Sequence, residues 1–205
     1  MINEINHPII QNKLALIRRK ETPAKDFRAA VEEISEFLIY EVARDFALRE
    51  IEIETPITFC RAKILADDFV IIPILRAGLA MVNGALKILP DAAVGHIGLV
   101  RDEKTHEPIE YYKKLPNLAG KKILVVDPML ATGGSSAAAL QMLKDSGAKD
   151  ITFICIISAP EGVKLITREH PDITIYTAAI DDHLNENCYI VPGLGDAGDR
   201  IFDTL

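Results

Sequence analysis

The sequence has few cysteines and no long hydrophobic segment. Its 3 cysteines, Cys60, Cys155 and Cys188, are widely spaced and odd in number, so we expect neither a disulfide framework nor a CxxC metal site. The longest apolar runs, around 69–75 and 153–159, are far shorter than the roughly 20 residues that cross a bilayer. Reduced cysteines and no transmembrane helix are therefore expected.

The sequence also lacks an excess of positive charge. Lys and Arg total 23 against 30 for Asp and Glu, which gives a net charge of −7, and no long basic run occurs. A binding surface for nucleic acid or for anionic membranes is therefore disfavoured. The segment 1–11 carries Glu4 and His7 instead of a basic stretch followed by an apolar one, so it does not read as a secretory signal. We expect a cytoplasmic protein without nucleic-acid or membrane partners.

The overall composition is that of a globular protein. Hydrophobic residues make up 49% of the 205 residues and charged residues 26%, which excludes disordered, collagen-like and coiled-coil chains. The length suits one hydrophobic core, so we predict a single domain over 1–205.

Helical periodicity opens the chain. Apolar residues recur at three- and four-residue steps over 10–17 and over 27–42, which predicts two amphipathic helices. The following segment, 51–57, alternates isoleucines with polar residues, which predicts a strand with one face exposed.

From residue 70 onward, short β-branched runs alternate with helical stretches. This alternation predicts an α/β fold with a central parallel sheet and helices on both faces. A glycine at the helix-ending position, Gly147, and a proline at a helix start, Pro160, mark two of the boundaries. The predicted strands are 70–75, 94–100, 123–126, 151–157 and 173–179, and the predicted helices are 77–89, 133–146 and 161–169.

The final segment, approximately 181–205, breaks this rhythm, and we call it the hood. Pro192, Gly193, Gly195 and Gly198 lie close together there. Such a density of glycine and proline predicts an irregular lobe laid over the sheet.

The most informative stretch follows the predicted strand 123–126. Asp127 stands at the end of that strand, and Thr132, Gly133 and Gly134 lead into a helix. Ligands bind at the carboxyl ends of strands in open α/β sheets, and glycines at a helix start favour an anion, here a phosphate monoester. An ordinary capped helix start is the alternative. No lysine follows these glycines and no GxGxxG pattern occurs in this stretch, which disfavours P-loop and dinucleotide-binding enzymes.

Two arginines hold equivalent positions. Arg76 follows the predicted strand 70–75, and Arg101 follows 94–100. The forked donors of arginine suit pyrophosphate or carboxylate oxygens, although a surface ion pair would also explain such a residue. Together with Asp127, they suggest a site for a multiply phosphorylated substrate.

A third stretch, 189–200, combines tight glycine turns with two acids. Its backbone N–H and C=O groups can read the edge of a planar base. Asp196 and Asp199 supply negative charge for Mg²⁺ or for a cationic transition state. An acidic loop that binds nothing is the alternative.

Together these stretches resemble the uracil phosphoribosyltransferase family. Asp127-Pro-Met-Leu-Ala-Thr-Gly-Gly-Ser135 is similar to the family's motif for phosphoribosyl pyrophosphate (PRPP), with Pro128 in place of the second acid of the wider superfamily. The likeness runs from about His7 to the C-terminus. Other similar segments are Pro73-Ile-Leu-Arg-Ala-Gly78, His96-Ile-Gly-Leu, Glu107-Pro with Tyr111 and Tyr112, Ala159-Pro-Glu-Gly162, and Tyr189 to Arg200.

The resemblance implies a type I phosphoribosyltransferase fold with a C-terminal hood. It implies the reaction of uracil with PRPP to give UMP and pyrophosphate, a step of pyrimidine salvage, with Mg²⁺ bound together with PRPP. It also implies a homodimer or larger homo-oligomer and GTP binding, and the sequence leaves open whether GTP activates the enzyme.

The resemblance also implies residue roles, with catalysis by Asp127, Asp196 and Arg76. No protein-held metal site is implied. The PRPP-binding set is Arg76, Arg101, Asp127, Pro128, Met129, Leu130, Ala131, Thr132, Gly133, Gly134, Ser135 and Asp196. The uracil-binding set is Ile190, Gly195, Asp196 and Ala197.

The chain departs from the family pattern at two positions beside the site. Cys188 precedes Tyr189 where family members commonly have glycine, and His106 stands where an aliphatic residue is expected. Two alternatives remain open: a regulator of the same fold that binds RNA, which the charge of −7 disfavours, and a purine phosphoribosyltransferase, which would carry paired acids where Pro128 stands.

Overall fold

The structure, a computed structural model, describes residues 1–101 and 108–204, with Arg101 and Pro108 described by their backbone alone. His106 and Glu107, named above, lie outside the described residues. The helices are α1 (Pro8–Arg18), α2 (Ala24–Val42), α3 (Leu79–Ile88), α4 (Gly134–Asp145), α5 (Pro160–Glu169) and α6 (Ala197–Phe202), with a 3₁₀ helix at Ala43–Asp45. The strands are β1 (Ile2–Glu4), β2 (Leu48–Glu54), β3 (Phe59–Leu65), β4 (Phe69–Leu75), β5 (Ala93–Val94), β6 (His96–Arg101), β7 (Pro108–Lys114), β8 (Lys122–Val126), β9 (Met129–Leu130), β10 (Asp150–Ser158), β11 (Thr174–Ile180), β12 (His183–Leu184) and β13 (Ile190–Val191).

Nine strands of the described chain form the central sheet. The order along it is β1, β11, β10, β8, β4, β6 and β7, while β5 pairs with β4 and β9 with β10. Neighbouring strands pair in parallel except β6 with β7. The predicted α/β fold with a central parallel sheet is confirmed.

The core lies on both faces of this sheet. Successive strand residues point to opposite faces, so Val70 packs into one hydrophobic cluster and Ile71 into the other. The cluster that contains Ile71 includes buried residues of α1, α2 and α3, and the cluster that contains Val70 includes buried residues of α4 and α5. Burial of both faces explains why the strands read as continuous apolar runs.

The helix predictions agree with the structure. The periodic apolar residues of 10–17 and 27–42 are buried on α1 and α2. Gly147 adopts a left-handed φ of +89° after α4, and its N–H donates to the Lys144 carbonyl at 2.9 Å. Pro160 lies in the first turn of α5. Every described helix is too short or too polar to cross a membrane.

The strand predicted at 51–57 forms only as far as Glu54, and its surroundings also differ from the prediction. It is β2, which pairs with β3 in a separate antiparallel hairpin. Most residues on both faces of β2 are exposed, and Ile57, in the turn, is 91% exposed. Because β2 and β3 pair only with each other among the described strands, the hairpin lacks a sheet layer that would bury one face.

The prediction of a wholly irregular hood is wrong. The hood contains the antiparallel pair β12 and β13 and the helix α6, which includes Gly198. The Asp196 side chain accepts the Asp199 N–H at 2.9 Å, and this cap stabilises the start of α6 despite the glycine. Ile190 and Ile201 are buried in the cluster that contains α1 and α2, so the hood packs against helices as well as against the sheet.

Candidate active site

The carboxyl ends of three neighbouring strands bring the predicted charged residues to one edge of the sheet. Asp127 follows β8, Arg76 follows β4, and Arg101 is the last residue of β6, and these strands are adjacent. The turn after Arg76 lies close to β8, since a Cβ on Gly78 would lie 2.5 Å from the Val126 carbonyl oxygen. The side chain of Arg101 lies outside the description, so its role stays a prediction.

The loop after Asp127 is fixed by backbone bonds to β10 and its end. The Pro128 carbonyl accepts the N–H groups of Ile156 and Ile157 at 3.0 and 3.1 Å. The Leu130 carbonyl accepts the Ala159 N–H at 2.8 Å. Pro128 and Leu130 are themselves buried and their carbonyls hold the loop, while their predicted contact with PRPP stays a prediction.

The start of α4 leaves room for a ligand. Gly133, the N-cap residue, adopts a left-handed φ of +85° and has no side chain with which to cap the helix. The N–H groups of the first turn have no partner within a helix, which favours an anion at this end. Among the described residues, apart from its chain neighbours and the backbone of its own helix, only the Thr132 Oγ1, at 3.9 Å, would lie within 4 Å of a Cβ on Gly134, so these residues leave space beside Gly134. Ser135 is half-buried at the same turn.

The environment of Asp127 favours its neutral form. Burial of the carboxyl by the surrounding protein raises the pKa of Asp127 to about 8, while a hydrogen bond from the Met129 backbone acts in the opposite direction. Some of the residue's surface remains accessible, so a ligand can reach it. A positive charge placed beside this carboxyl would favour its ionised form.

The loop after Asp127 and the hood share one cavity of about 240 Å³. Met129 and Ala131 line it from the loop, and Ile190, Gly195 and Asp196 line it from the hood. The structure thus brings predicted PRPP-binding and uracil-binding residues together. Ala197, the fourth predicted uracil-binding residue, is buried at the first position of α6, beside Asp196.

Three residues outside the predicted binding sets also line this cavity, Asn187, Cys188 and Tyr189, so Cys188 lies in the site and not beside it as the sequence predicted. The sequence feature that points to them is their position directly before Ile190, a predicted uracil-binding residue. Cys188 has a left-handed φ of +62°, a conformation that glycine adopts more readily. The glycine common at this position in the resembled family therefore has a conformational reason.

Arg76 contacts the hood. Its guanidinium lies 3.5 Å from Asp199 Oδ1 and 5.6 Å from the centre of the Phe202 ring. Thr204 Oγ1 donates to the same Asp199 oxygen at 2.7 Å. An exposed pair of this kind contributes little stability, so Arg76 can exchange this contact for an anionic ligand at small cost.

Comparison with known proteins identifies the family. A family model described as uracil phosphoribosyltransferase matches residues 4–204. The chain belongs to the uracil phosphoribosyltransferase family. A uracil phosphoribosyltransferase of Clostridium tetani is 58% identical over 99% of this chain and 98% of its own length. That of Dictyoglomus thermophilum is 53% identical over the whole of both chains.

Solved structures agree with this family assignment. A protein from Aquifex aeolicus, 40% identical, superposes with a TM-score of 0.96 over 100% of this chain and 99% of its own. A purine phosphoribosyltransferase from Pyrococcus horikoshii, 21% identical, covers 74% of this chain and 87% of its own with a TM-score of 0.51. The second likeness shows the phosphoribosyltransferase fold that this family shares, and so confirms the predicted fold class.

Proposed function

We propose that this chain transfers the phosphoribosyl group of PRPP to uracil and forms UMP and pyrophosphate, a reaction of pyrimidine salvage. Membership of the uracil phosphoribosyltransferase family supports this activity. The observation that carries the proposal is the cavity in which Met129 and Ala131 meet Ile190, Gly195 and Asp196. A transferase for two substrates needs adjoining subsites of this kind.

The PRPP subsite follows from the strand ends. The 5-phosphate binds at the start of α4, where first-turn N–H groups and the open space beside Gly134 accommodate its oxygens. Asp127 accepts hydrogen bonds from ribose hydroxyls, and Arg76 and Arg101 bind the pyrophosphate. The 5-phosphate is remote from the reacting carbon, so its binding energy serves to orient the ribose.

The uracil subsite uses the backbone of the hood. Carbonyl and N–H groups of Ile190 and Gly195 to Ala197 pair with the polar edge of uracil. Uracil N1 then bonds to the anomeric carbon as the bond from that carbon to the pyrophosphate oxygen breaks, and the N1 proton passes to water or to the departing pyrophosphate. Positive charge develops on the ribose, and the carboxylates of Asp127 and Asp196 stabilise it. No enzyme nucleophile is required.

We further propose that Mg²⁺ enters with PRPP. Within the described ranges, no group of three or more His, Cys, Asp or Glu residues could hold a metal by itself. Mg²⁺ at phosphate sites keeps several waters and takes only one or two carboxylates, which Asp127 and Asp196 can supply. The ion would neutralise charge on the pyrophosphate.

The decisive experiment is an assay of radiolabelled uracil, cytosine, adenine and hypoxanthine with Mg²⁺ and PRPP. We expect turnover of uracil, and a kcat/KM for cytosine that is lower than that for uracil by roughly 10⁴. Cytosine carries an amino group where uracil has a carbonyl, so the backbone groups that pair with uracil are left without matching partners. Turnover of adenine or hypoxanthine in preference to uracil would overturn the proposal. Retention of pyrimidine-operon leader RNA on a filter would instead favour the RNA-binding regulator.

We also propose that the chain forms a homodimer or a larger homo-oligomer. The hairpin β2–β3 exposes apolar side chains, with Phe59 62% and Leu48 58% exposed. A two-stranded hairpin is marginally stable alone, and exposed apolar patches mark interfaces. Sedimentation should give at least twice the monomer mass, and Phe59→Glu should shift the protein toward monomer. A wild-type monomer at micromolar concentration would contradict this part of the proposal.

Two further properties complete the proposal. We expect GTP binding, as the family resemblance implies, which equilibrium dialysis with labelled GTP would test, and a rate measured with and without GTP would show whether it activates. We also expect a cytoplasmic location. The three cysteines are free in the structure, which suits a reducing compartment, and fractionation of cells that express the protein would test it.

A further inference from the structure

An ion pair joins the first helix to the hood. Arg18, at the end of α1, directs its two terminal nitrogens at the two carboxylate oxygens of Asp181, at distances of 2.8 and 2.6 Å. Asp181 follows β11 and is buried. The pair is bidentate, and the planar guanidinium therefore fixes the direction of the carboxylate as well as its distance.

The same pair holds both polar backbone groups of one hood residue, Gly193. Arg18 donates to the Gly193 carbonyl at 2.8 Å, and the Gly193 N–H donates to Asp181 at 2.9 Å. Gly193 has a left-handed φ of +64°, and a Cβ there would lie 2.0 Å from the Ile190 carbonyl oxygen. The pair thus holds both polar backbone groups of the turn that follows Ile190.

A second arginine holds the next residue. Arg200, in α6, donates to the Leu194 carbonyl at 2.6 Å and to the Arg19 carbonyl at 2.6 Å. Its guanidinium stacks 4.3 Å from the centre of the Phe27 ring on α2. We call Arg18, Arg200 and Asp181 the arginine bracket, because together they join two consecutive hood carbonyls to the end of α1.

The arginine bracket lies next to the base subsite without entering it. Ile190, Gly195 and Asp196 line the 240 Å³ cavity, and none of the bracket residues does. The held residues, Gly193 and Leu194, lie between Ile190 and Gly195 in the chain. Any movement of these two peptide units therefore moves the backbone groups on both sides of them.

We propose that Arg18 and Arg200 are positioning residues that set the backbone geometry of the uracil subsite, and with it both uracil affinity and discrimination against cytosine. This inference rests on the proposed function. A bracket that only stabilised the fold would affect both substrates alike or neither, whereas a positioning bracket affects the base far more than PRPP, because the PRPP loop is held by β10 and Asp196 is the one predicted PRPP-binding residue in the hood.

The test compares Arg18→Met, Arg200→Met and the conservative Arg18→Lys. We expect the two methionine variants to raise KM for uracil about 10- to 100-fold and to lower the uracil-to-cytosine ratio of kcat/KM. The calorimetric Kd for Mg²⁺–PRPP should stay within about twofold of wild type, as for a site with independent supports. The KM of Arg18→Lys for uracil should lie between those of wild type and Arg18→Met, since lysine lacks the forked guanidinium that binds both Asp181 and Gly193.

The matched control is Lys144→Met. Lys144 pairs with Asp172 at 2.7 Å and has the same 25% side-chain exposure as Arg18, but it lies at the far end of α4 from the phosphate. Lys144→Met should leave the KM for uracil and the Kd for Mg²⁺–PRPP unchanged. If Arg18→Met fails to fold because Asp181 is left charged and unpaired, the double variant Arg18→Met/Asp181→Asn removes both charges and should show the same selective loss.

Two results would overturn the inference: an unchanged KM for uracil and an unchanged base ratio in folded variants, or an equal rise in KM for uracil and Kd for PRPP. The failure of the proposed function would look different. In that case wild type itself would not turn over uracil, whereas failure of the inference leaves wild type active and the variants like it.

Discussion

The two halves of the active site are held in place by different kinds of contact. The loop after Asp127 is anchored by backbone bonds from Pro128 and Leu130 to β10 and the residue after it. The hood turn at Gly193 is anchored by side chains, chiefly Arg18 and Asp181. The phosphate half should therefore tolerate side-chain substitution around it, while the base half depends on a few long-range side-chain bonds.

The largest effect is expected in the hood, at Asp196. Its side chain caps α6, so Asp196→Asn retains the cap, because asparagine is also a good N-cap. If the charge also stabilises the developing cation, kcat should fall roughly 10²–10³-fold with little change in KM. Steady-state kinetics and thermal melting together test this. Near-normal kcat with an unchanged melting temperature would reduce Asp196 to a structural cap.

The phosphate half is tested at Gly134. The space beside it is open in the structure, so Gly134→Val should fold but should block phosphate oxygens from the N–H groups at the start of α4. Loss of one or two such bonds to an anion should weaken PRPP binding roughly 100-fold. Calorimetric titration measures this, with Ala138→Val, one turn along the same helix, as control. Wild-type affinity in folded Gly134→Val would remove this helix start from the site.

The pH dependence of stability tests Asp127. Its pKa of about 8 in the folded protein lies above the value of about 3.9 of an unfolded chain. The folded state therefore binds more protons between these values, and the stability present below pH 4 is lost as pH rises toward 8, by at most about 1.4 kcal/mol per pH unit.

Asp127→Asn should abolish this slope. In urea denaturation from pH 5 to 9, the midpoint of the variant should rise relative to that of wild type up to about pH 8. Above pH 8 the difference between the two midpoints should stay constant. Parallel curves for the two proteins would show that Asp127 is ionised in the folded state at neutral pH.

The smallest effect is expected at Cys188. Its left-handed φ of +62° suits glycine better, so Cys188→Gly should stabilise the protein by about 0.5–1 kcal/mol. The same change at Cys60, in the exposed strand β3, should instead destabilise it, since glycine is unfavourable in a strand. Urea denaturation measures both. Equal destabilisation at the two positions would contradict the conformational explanation.

The central sheet could be predicted from the sequence because its strands are buried on both faces. The runs at 70–75 and 123–126 have no polar interruption, and they correspond to β4 and β8. β3 was missed, although Cys60, Ala62 and Ile64 alternate with Arg61 and Lys63, and most of its residues are exposed. The single-domain boundary at 1–205 stays a prediction.

The hood was the hardest part to predict. Local composition at Gly193, Gly195 and Gly198 indicated irregular structure, yet Gly193 and Gly195 connect β13 to α6, and Gly198 lies within α6. They also spell a GxGxxG pattern, but the helix has 6 residues and its first turn is capped by Asp196, unlike a dinucleotide-binding turn. The pairing of Arg18 with Asp181 spans 163 residues, which no local pattern reveals.

The arginine bracket also orders events during protein synthesis. At about 5–20 residues per second, Asp181 is made roughly 8–33 s after Arg18, which lies 163 residues earlier. β10 (Asp150–Ser158) is made late in that interval but before the hood, so the strands that anchor the phosphate loop are complete before the end of α1 has a hood to hold. A nascent chain thus gains a place for PRPP before it gains a place for the base, and ribosome-stalled chains ending before the hood should bind the first substrate alone.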